Sequence, residues 1–209
     1  MKQKFLVVGE MQENCYILYD EHLKKGLIID PGDEAEKIAS FLEKEGILPE
    51  AILLTHGHFD HIMGISGIRE RYAIPVAASE KEVCLLKNGM RNLSHQYCKK
   101  DIAIVPDVLL KEGEEPGFFA KMQIIETPGH TPGSICFYFP EDKALYAGDT
   151  LFRGSVGRTD RAEDHELMVK GIREKLFCLP GDTRVFPGHG FPTSIELEIK
   201  ENPFCKLET

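Results

Sequence analysis

Strands that alternate with helices predict an α/β chain, or a layered α+β one, for these 209 residues. Three observations carry that expectation. Short apolar runs of strand length recur from Phe5 to Phe186, helical apolar spacing appears between several of them, and Gly, Pro or Asp closes most runs. The length suits a substantial core and a single domain, 1–209, since no linker rich in Gly, Ser or Pro, no low-complexity stretch and no repeat interrupts it.

In chain order, Phe5–Val8, Cys15–Tyr19 and Gly26–Ile29 read as strands separated by turn residues, the third closed by Asp30-Pro31-Gly32. Residues 34–45 have helical spacing (Ala35, Ile38, Ala39, Leu42) and a Gly46 stop. The run 51–54 reads as a buried strand and Ile62 onward as a helix, with Ile62, Ile65 and Ile68 on one face. Pro75–Ala78 is a short strand, and a helix starts at Ser79 and ends near Asn88-Gly89. Residues 90–107 lack a period and predict a loop or irregular helix, and Gly113 to Gly117 is rich in turn residues. Strands follow at 121–125, 134–139 and 143–147, then a helix from Glu163 to Phe177, a strand at Thr183–Phe186 and a closing helix from Ser194 to Glu201.

Charge and composition bound the function. A formal net charge of −9 argues against binding nucleic acid through bulk charge. No run approaches the ~20 apolar residues of a membrane span, and Phe5 to Val8 is too brief for a signal peptide. The six cysteines form no C-x-x-C pair, so reduced thiols that do not ligate metal, in a cytoplasmic protein, are expected. The partner expected is a small-molecule substrate.

The chemistry concentrates in Thr55-His56-Gly57-His58-Phe59-Asp60-His61, on a turn between a strand and a helix. His56 and His58 can converge on one ion, and Asp60 and His61 can serve a second. Imidazole with carboxylate suits Zn, Fe or Mn, and two ions ~3.5–4 Å apart activate a bridging water as hydroxide. Three later residues also follow apolar strands between glycines: His130 in Gly129-His130-Thr131, Asp149 in Gly148-Asp149-Thr150, and His189 in Gly188-His189-Gly190. Singly, each also reads as a cap or a structural hydrogen-bonding group. Together they complete a set of seven. Asp30 reads either as a turn residue or as a carboxylate holding a metal-bound His.

The pattern H-x-H-x-D-H, a Gly-flanked His, a G-D-T Asp and a final G-H resembles the metallo-β-lactamase superfamily, and within it the short, single-domain glyoxalase II-like (hydroxyacylglutathione hydrolase-like) hydrolases. The likeness runs from Asn14-Cys15-Tyr16 to Glu201-Asn202-Pro203-Phe204. It implies a four-layer αβ/βα sandwich with two divalent metal ions, Zn first and Fe or Mn as alternatives. His56, His58 and His130 would hold one ion, and Asp60, His61 and His189 the other. Asp149 would bridge both, with Asp60 and Asp149 at the reacting centre beside a metal-bridging hydroxide. The long glyoxalase II enzymes grip glutathione with a C-terminal helical domain, whereas twenty residues follow His189 here. Asp160 stands where they have an aromatic residue and Phe191 where they have Tyr. Arg153, Arg158 and Phe191 are candidate substrate contacts, the two arginines reading equally as braces of their loop. The implied reaction is hydrolysis of thioesters of the S-lactoylglutathione type. A mononuclear iron persulfide dioxygenase, a lactonase and a phosphodiesterase are the alternatives, the first because Gly157-Arg158-Thr159-Asp160 also occurs in that branch.

Overall fold

The computed structural model describes residues 1–205. The chain packs as two compact units: Met1–Leu110 with Pro116–Phe119, and Lys111–Glu115 with the chain from Ala120 onward.

The first unit holds β1 (Lys2–Val8), β2 (Glu13–Asp20), β3 (Lys25–Ile29), α1 (Ala35–Glu45), β4 (Leu48–Leu53), α2 (Phe59–Ile62), α3 (Ile65–Arg71), β5 (Val76–Ser79), α4 (Val83–Leu86), α5 (Ser94–Cys98) and β6 (Val108–Leu110). Its six strands lie in sequence order, β1-β2-β3-β4-β5-β6. The first three form an antiparallel meander, and β3 to β6 pair in parallel through helical crossovers. Ile17, Ile28, Ile52 and Val76 of the sheet pack with Ile38 and Leu42 of α1 and with Ile62, Ile65 and Ile68, so the 3.6-residue spacing finds the core face it predicts. Gly46 ends α1 at φ +65°, as a left-handed C-cap.

Several boundaries differ from expectation. The strand foreseen at 51–54 begins at Leu48, its register shifting beside Pro49, which cannot donate to the ladder. The motif helix is two helices rather than one. It breaks where the Gly64 amide donates to the Pro31 carbonyl at 2.9 Å, drawing the chain onto the Asp30–Gly32 turn. Residues 80–82 form a 3₁₀ turn before the short α4, and the aperiodic stretch 90–107 contains α5. The unforeseen β6 has three residues, too few to show a period.

The second unit holds β7 (Gln123–Glu126), β8 (Ile135–Phe139), β9 (Ala144–Gly148), β10 (Leu151–Phe152), β11 (Ser155–Val156), α6 (Ala162–Gly171), β12 (Arg184–Pro187), β13 (Thr193–Ser194) and α7 (Ile195–Glu201). Five strands form a sheet in the order β13-β12-β9-β8-β7, parallel only between β12 and β9, and β10 and β11 make a separate hairpin. Cys136, Leu145, Ala147 and Val185 of the sheet pack with Met168, Ile172 and Leu176. The helix expected to reach Phe177 is α-helical to Gly171 and then widens into a π turn at Ile172–Leu176. All six cysteines are unbonded thiols. Among the described residues no helix is long and apolar enough to cross a membrane.

Candidate metal centre

In the first unit the apolar strand β4 ends at Leu53 and delivers Thr55-His56-Gly57-His58 to a turn, with Asp60 and His61 on α2. His56 and His61 are buried, and their rings lie 4.1 Å apart between centroids; the His58 ring stands edge-on to that of His56 at 4.9 Å. The buried Asp30 organises the group. Its Oδ1 accepts from the Thr55 amide at 2.8 Å, and its Oδ2 accepts from the Thr55 hydroxyl at 2.5 Å and lies 3.0 Å from His61 Nδ1. The Thr55 hydroxyl in turn lies 3.1 Å from His56 Nδ1. A carboxylate and a hydroxyl behind Nδ1 favour the tautomer that carries its proton there, the form in which Nε2 can take a metal. Asp30 itself sits at φ +48°, a left-handed conformation uncommon outside Gly, Asn and Asp.

The ligand atoms of Asp30, His56 and His61 all lie within 4.8 Å of one another. Both Asp30 oxygens already hold Thr55 and His61, so Asp30 fits a supporting role better than a direct donor. Asp60 carries its carbonyl against Gly32: a Cβ at Gly32 would fall 1.8 Å from the Asp60 oxygen. Only glycine lets the Asp30–Gly32 turn approach α2 so closely.

In the second unit three strand ends converge. His130 follows β7, Asp149 follows β9 and His189 follows β12. His130 Nε2 and His189 Nε2 lie 3.6 and 3.8 Å from Asp149 Oδ2. These separations are too long for strong hydrogen bonds. They approach the ~3.4 Å expected between two donors bound at ~2.0–2.1 Å to one tetrahedral ion. His130 Nδ1 donates to the Arg158 carbonyl at 2.7 Å, so this imidazole too is supported from behind. Gly157 repeats the device seen at Gly32, since a Cβ there would fall 1.8 Å from the Asp149 carbonyl oxygen. Histidines fixed in this way, beside a carboxylate, fit divalent metal in both units.

The three substrate candidates lie at the surface. Arg153 is exposed, Phe191 is 76% exposed, and Arg158 pairs at 3.4 Å with the exposed Asp160. What engages His130 is the Arg158 backbone, not its guanidinium. Two buried carboxylates beside the first ligand group escaped the sequence reading: Glu82, whose Oε1 accepts from the Gly57 amide at 3.0 Å, and Glu13, whose Oε1 lies 3.9 Å from His61 Nδ1. Glu82 sits within a charged run of helical appearance. Glu13 precedes the strand expected at Cys15–Tyr19, and neither position marks burial.

These features agree with a match to the family model of the metallo-beta-lactamase superfamily over residues 8–189, and the chain belongs to that superfamily. At that level it is a metal-dependent hydrolase with a His/Asp metal-binding cluster. It is 38% identical to a probable metallo-hydrolase, YqgX, of Bacillus subtilis, over 98% of this chain and 97% of that one. It is 34% identical to the hydroxyacylglutathione hydrolase GloC of Haemophilus influenzae over the whole of both chains. Among solved structures it resembles the BLEG-1 B3 metallo-beta-lactamase (38% identity, TM-score 0.91, 98% of this chain and 99% of that one). It also resembles TTHA1623 in a di-iron-bound form (36%, TM-score 0.85, 96% and 99%). The fold class expected from the sequence, the metallo-β-lactamase fold, is the fold found.

Proposed function

We propose that the two ligand groups serve one dinuclear centre in a single hydrolase domain, 1–209, and that this centre hydrolyses thioesters of the S-lactoylglutathione type. His56, His58 and His130 would hold one ion, Asp60, His61 and His189 the other, with Asp149 shared. The observation that carries the reading is the support behind three imidazoles: Nδ1 of His56, His61 and His130 meets the Thr55 hydroxyl, the Asp30 carboxylate and the Arg158 carbonyl, an arrangement that suits Nε2 to a metal. The likeness to the hydroxyacylglutathione hydrolase over the whole of both chains directs it toward thioesters.

Divalent ions bound there would supply an activated water and polarise the acyl carbonyl. The chain's own residues hold that arrangement rigid. Asp30 and Thr55 orient two imidazoles from behind, the Arg158 carbonyl orients a third, and Gly32 and Gly157 fix the backbones of the two aspartates. Departure of the leaving group needs no side chain. A thiolate, from a thiol of pKa near ~8.5, leaves unprotonated, whereas an amine requires a donor.

The likeness to BLEG-1 supports a second reading, β-lactam hydrolysis. One experiment separates the readings: metal analysis of the untagged protein with a panel of S-lactoylglutathione, a small lactone, a persulfide and a chromogenic cephalosporin. Two metal equivalents per chain and thioester hydrolysis with a high KM are expected. A cephalosporin rate above the thioester rate would establish the β-lactamase reading. One iron per chain with oxygen uptake on persulfide would establish a dioxygenase.

A further inference from the structure

A cavity of about 300 Å³ opens beside Asp60, built within the first unit from the β1–β2 turn, the Gly32-Asp33 turn, α2 and α5. Its size is at the lower end for small-molecule sites. The lining is unusual in composition. Met11, Met63 and Cys98 present sulfur, with Cys98 Sγ 3.2 Å from Met63 Sδ, and Phe59 and Tyr97 stack at 4.8 Å with their planes 6° apart. Methionines adapt to ligands of different shape, while stacked rings give a firm apolar wall. The charged lining residues are Glu10, Asp33 and Asp60, and no Lys or Arg joins them.

The walls are held in place. Gln12 donates to the Gly9 carbonyl at 3.2 Å, closing the β1–β2 turn, and the Gly9 amide donates to Glu34 at 3.3 Å. The Asp60 carbonyl abuts Gly32, so two of the segments that line the cavity are in close backbone contact.

We propose that this cavity is the acyl subsite and that it selects uncharged, apolar acyl groups. This rests on the thioester reading above. A carboxylate entering the cavity would lose water beside Glu10 and Asp33 and find no Lys or Arg in the lining to replace it. The thiol half of a glutathione thioester carries two carboxylates and is excluded from the cavity on that ground. A short neutral acyl chain meets thioether, thiol and ring carbon instead.

The test has two independent readouts. With the metal-loaded protein, acetyl, butyryl, hexanoyl and succinyl esters of one thiol are compared. Specificity, kcat/KM, should rise about threefold per added methylene until the cavity fills, and the succinyl ester should fall at least tenfold below the butyryl one. Separately, saturation-transfer NMR measures binding of hexanamide and hexanoate without turnover. The amide should bind at least tenfold more tightly, Met63→Trp should abolish its binding, and the exposed Glu10→Lys should raise hexanoate affinity. Equal binding of the two probes, or binding insensitive to both variants, overturns the subsite. Thioester hydrolysis with no chain-length or charge preference also overturns it while leaving the proposed reaction standing. Selective amide binding with no thioester hydrolysis does the reverse.

Discussion

The two ligand groups solve one problem by different means. The first is drawn from one strand-to-helix turn, and its buried imidazoles are oriented by the Asp30 carboxylate and the Thr55 hydroxyl. The second gathers three strand ends, its ligands are half-buried, and a main-chain carbonyl orients His130. A contiguous motif thus depends on a side chain brought from 31 residues away. A dispersed one depends on strand order and backbone, which point substitutions reach less easily. Both groups share one feature: a glycine pressed against the carbonyl of an aspartate.

The comparison breaks hardest at Asp149. Asp149→Asn should bring hydrolysis below detection and lower metal content at both positions, since each ion would lose an anionic ligand. Retained activity would refute a shared role. Next come the glycines. Gly32→Ala and Gly157→Ala each force a Cβ into a main-chain oxygen and should cost about 3 kcal/mol or more in denaturant titration. Gly154→Ala, with nothing within 4 Å of its Cβ but φ at +69°, should cost only about 1 kcal/mol.

Asp30→Ala sharpens the contrast. It should weaken metal binding about 10- to 100-fold, read by competition with a chelator. Arg158→Ala should leave metal binding unchanged because only the backbone carbonyl is used. A loss of more than about tenfold in kcat/KM at constant metal content would make the guanidinium a substrate contact rather than a brace of its loop.

The smallest effect concerns pH. Burial pushes the Cys136 and Cys205 thiols up to about 11, and raises Cys15 well above its ordinary value. A thiol neutral in the folded protein but ionised in the unfolded chain favours folding less as pH rises. Stability should therefore be level below about pH 8.5 and fall between there and pH 11. Thermal melting across that range checks the sign, and a rise would contradict it. At neutral pH, exposed Cys84 and Cys178 should react with a thiol reagent far faster than these three.

The sequence by itself determined the family, the alternation of strands and helices, and the identity of the metal-capable residues. Those signals are local: a period of two or 3.6, a glycine beside a histidine, four donors within six residues. It did not determine how those residues are held. The break between α2 and α3 follows from a bond to Pro31, and the burial of Glu82 from the amide of Gly57. Asp30 was legible only as a turn residue or a support, because nothing next to it in sequence distinguishes the two. The tertiary structure placed its carboxylate between Thr55 and His61, residues 25 and 31 positions away. Hydrogen bonds across such separations depend on where strands pair and chains approach, and no periodicity along the chain encodes that. The cavity beside Asp60 has the same origin, since its walls come from four separate segments whose meeting only the fold decides.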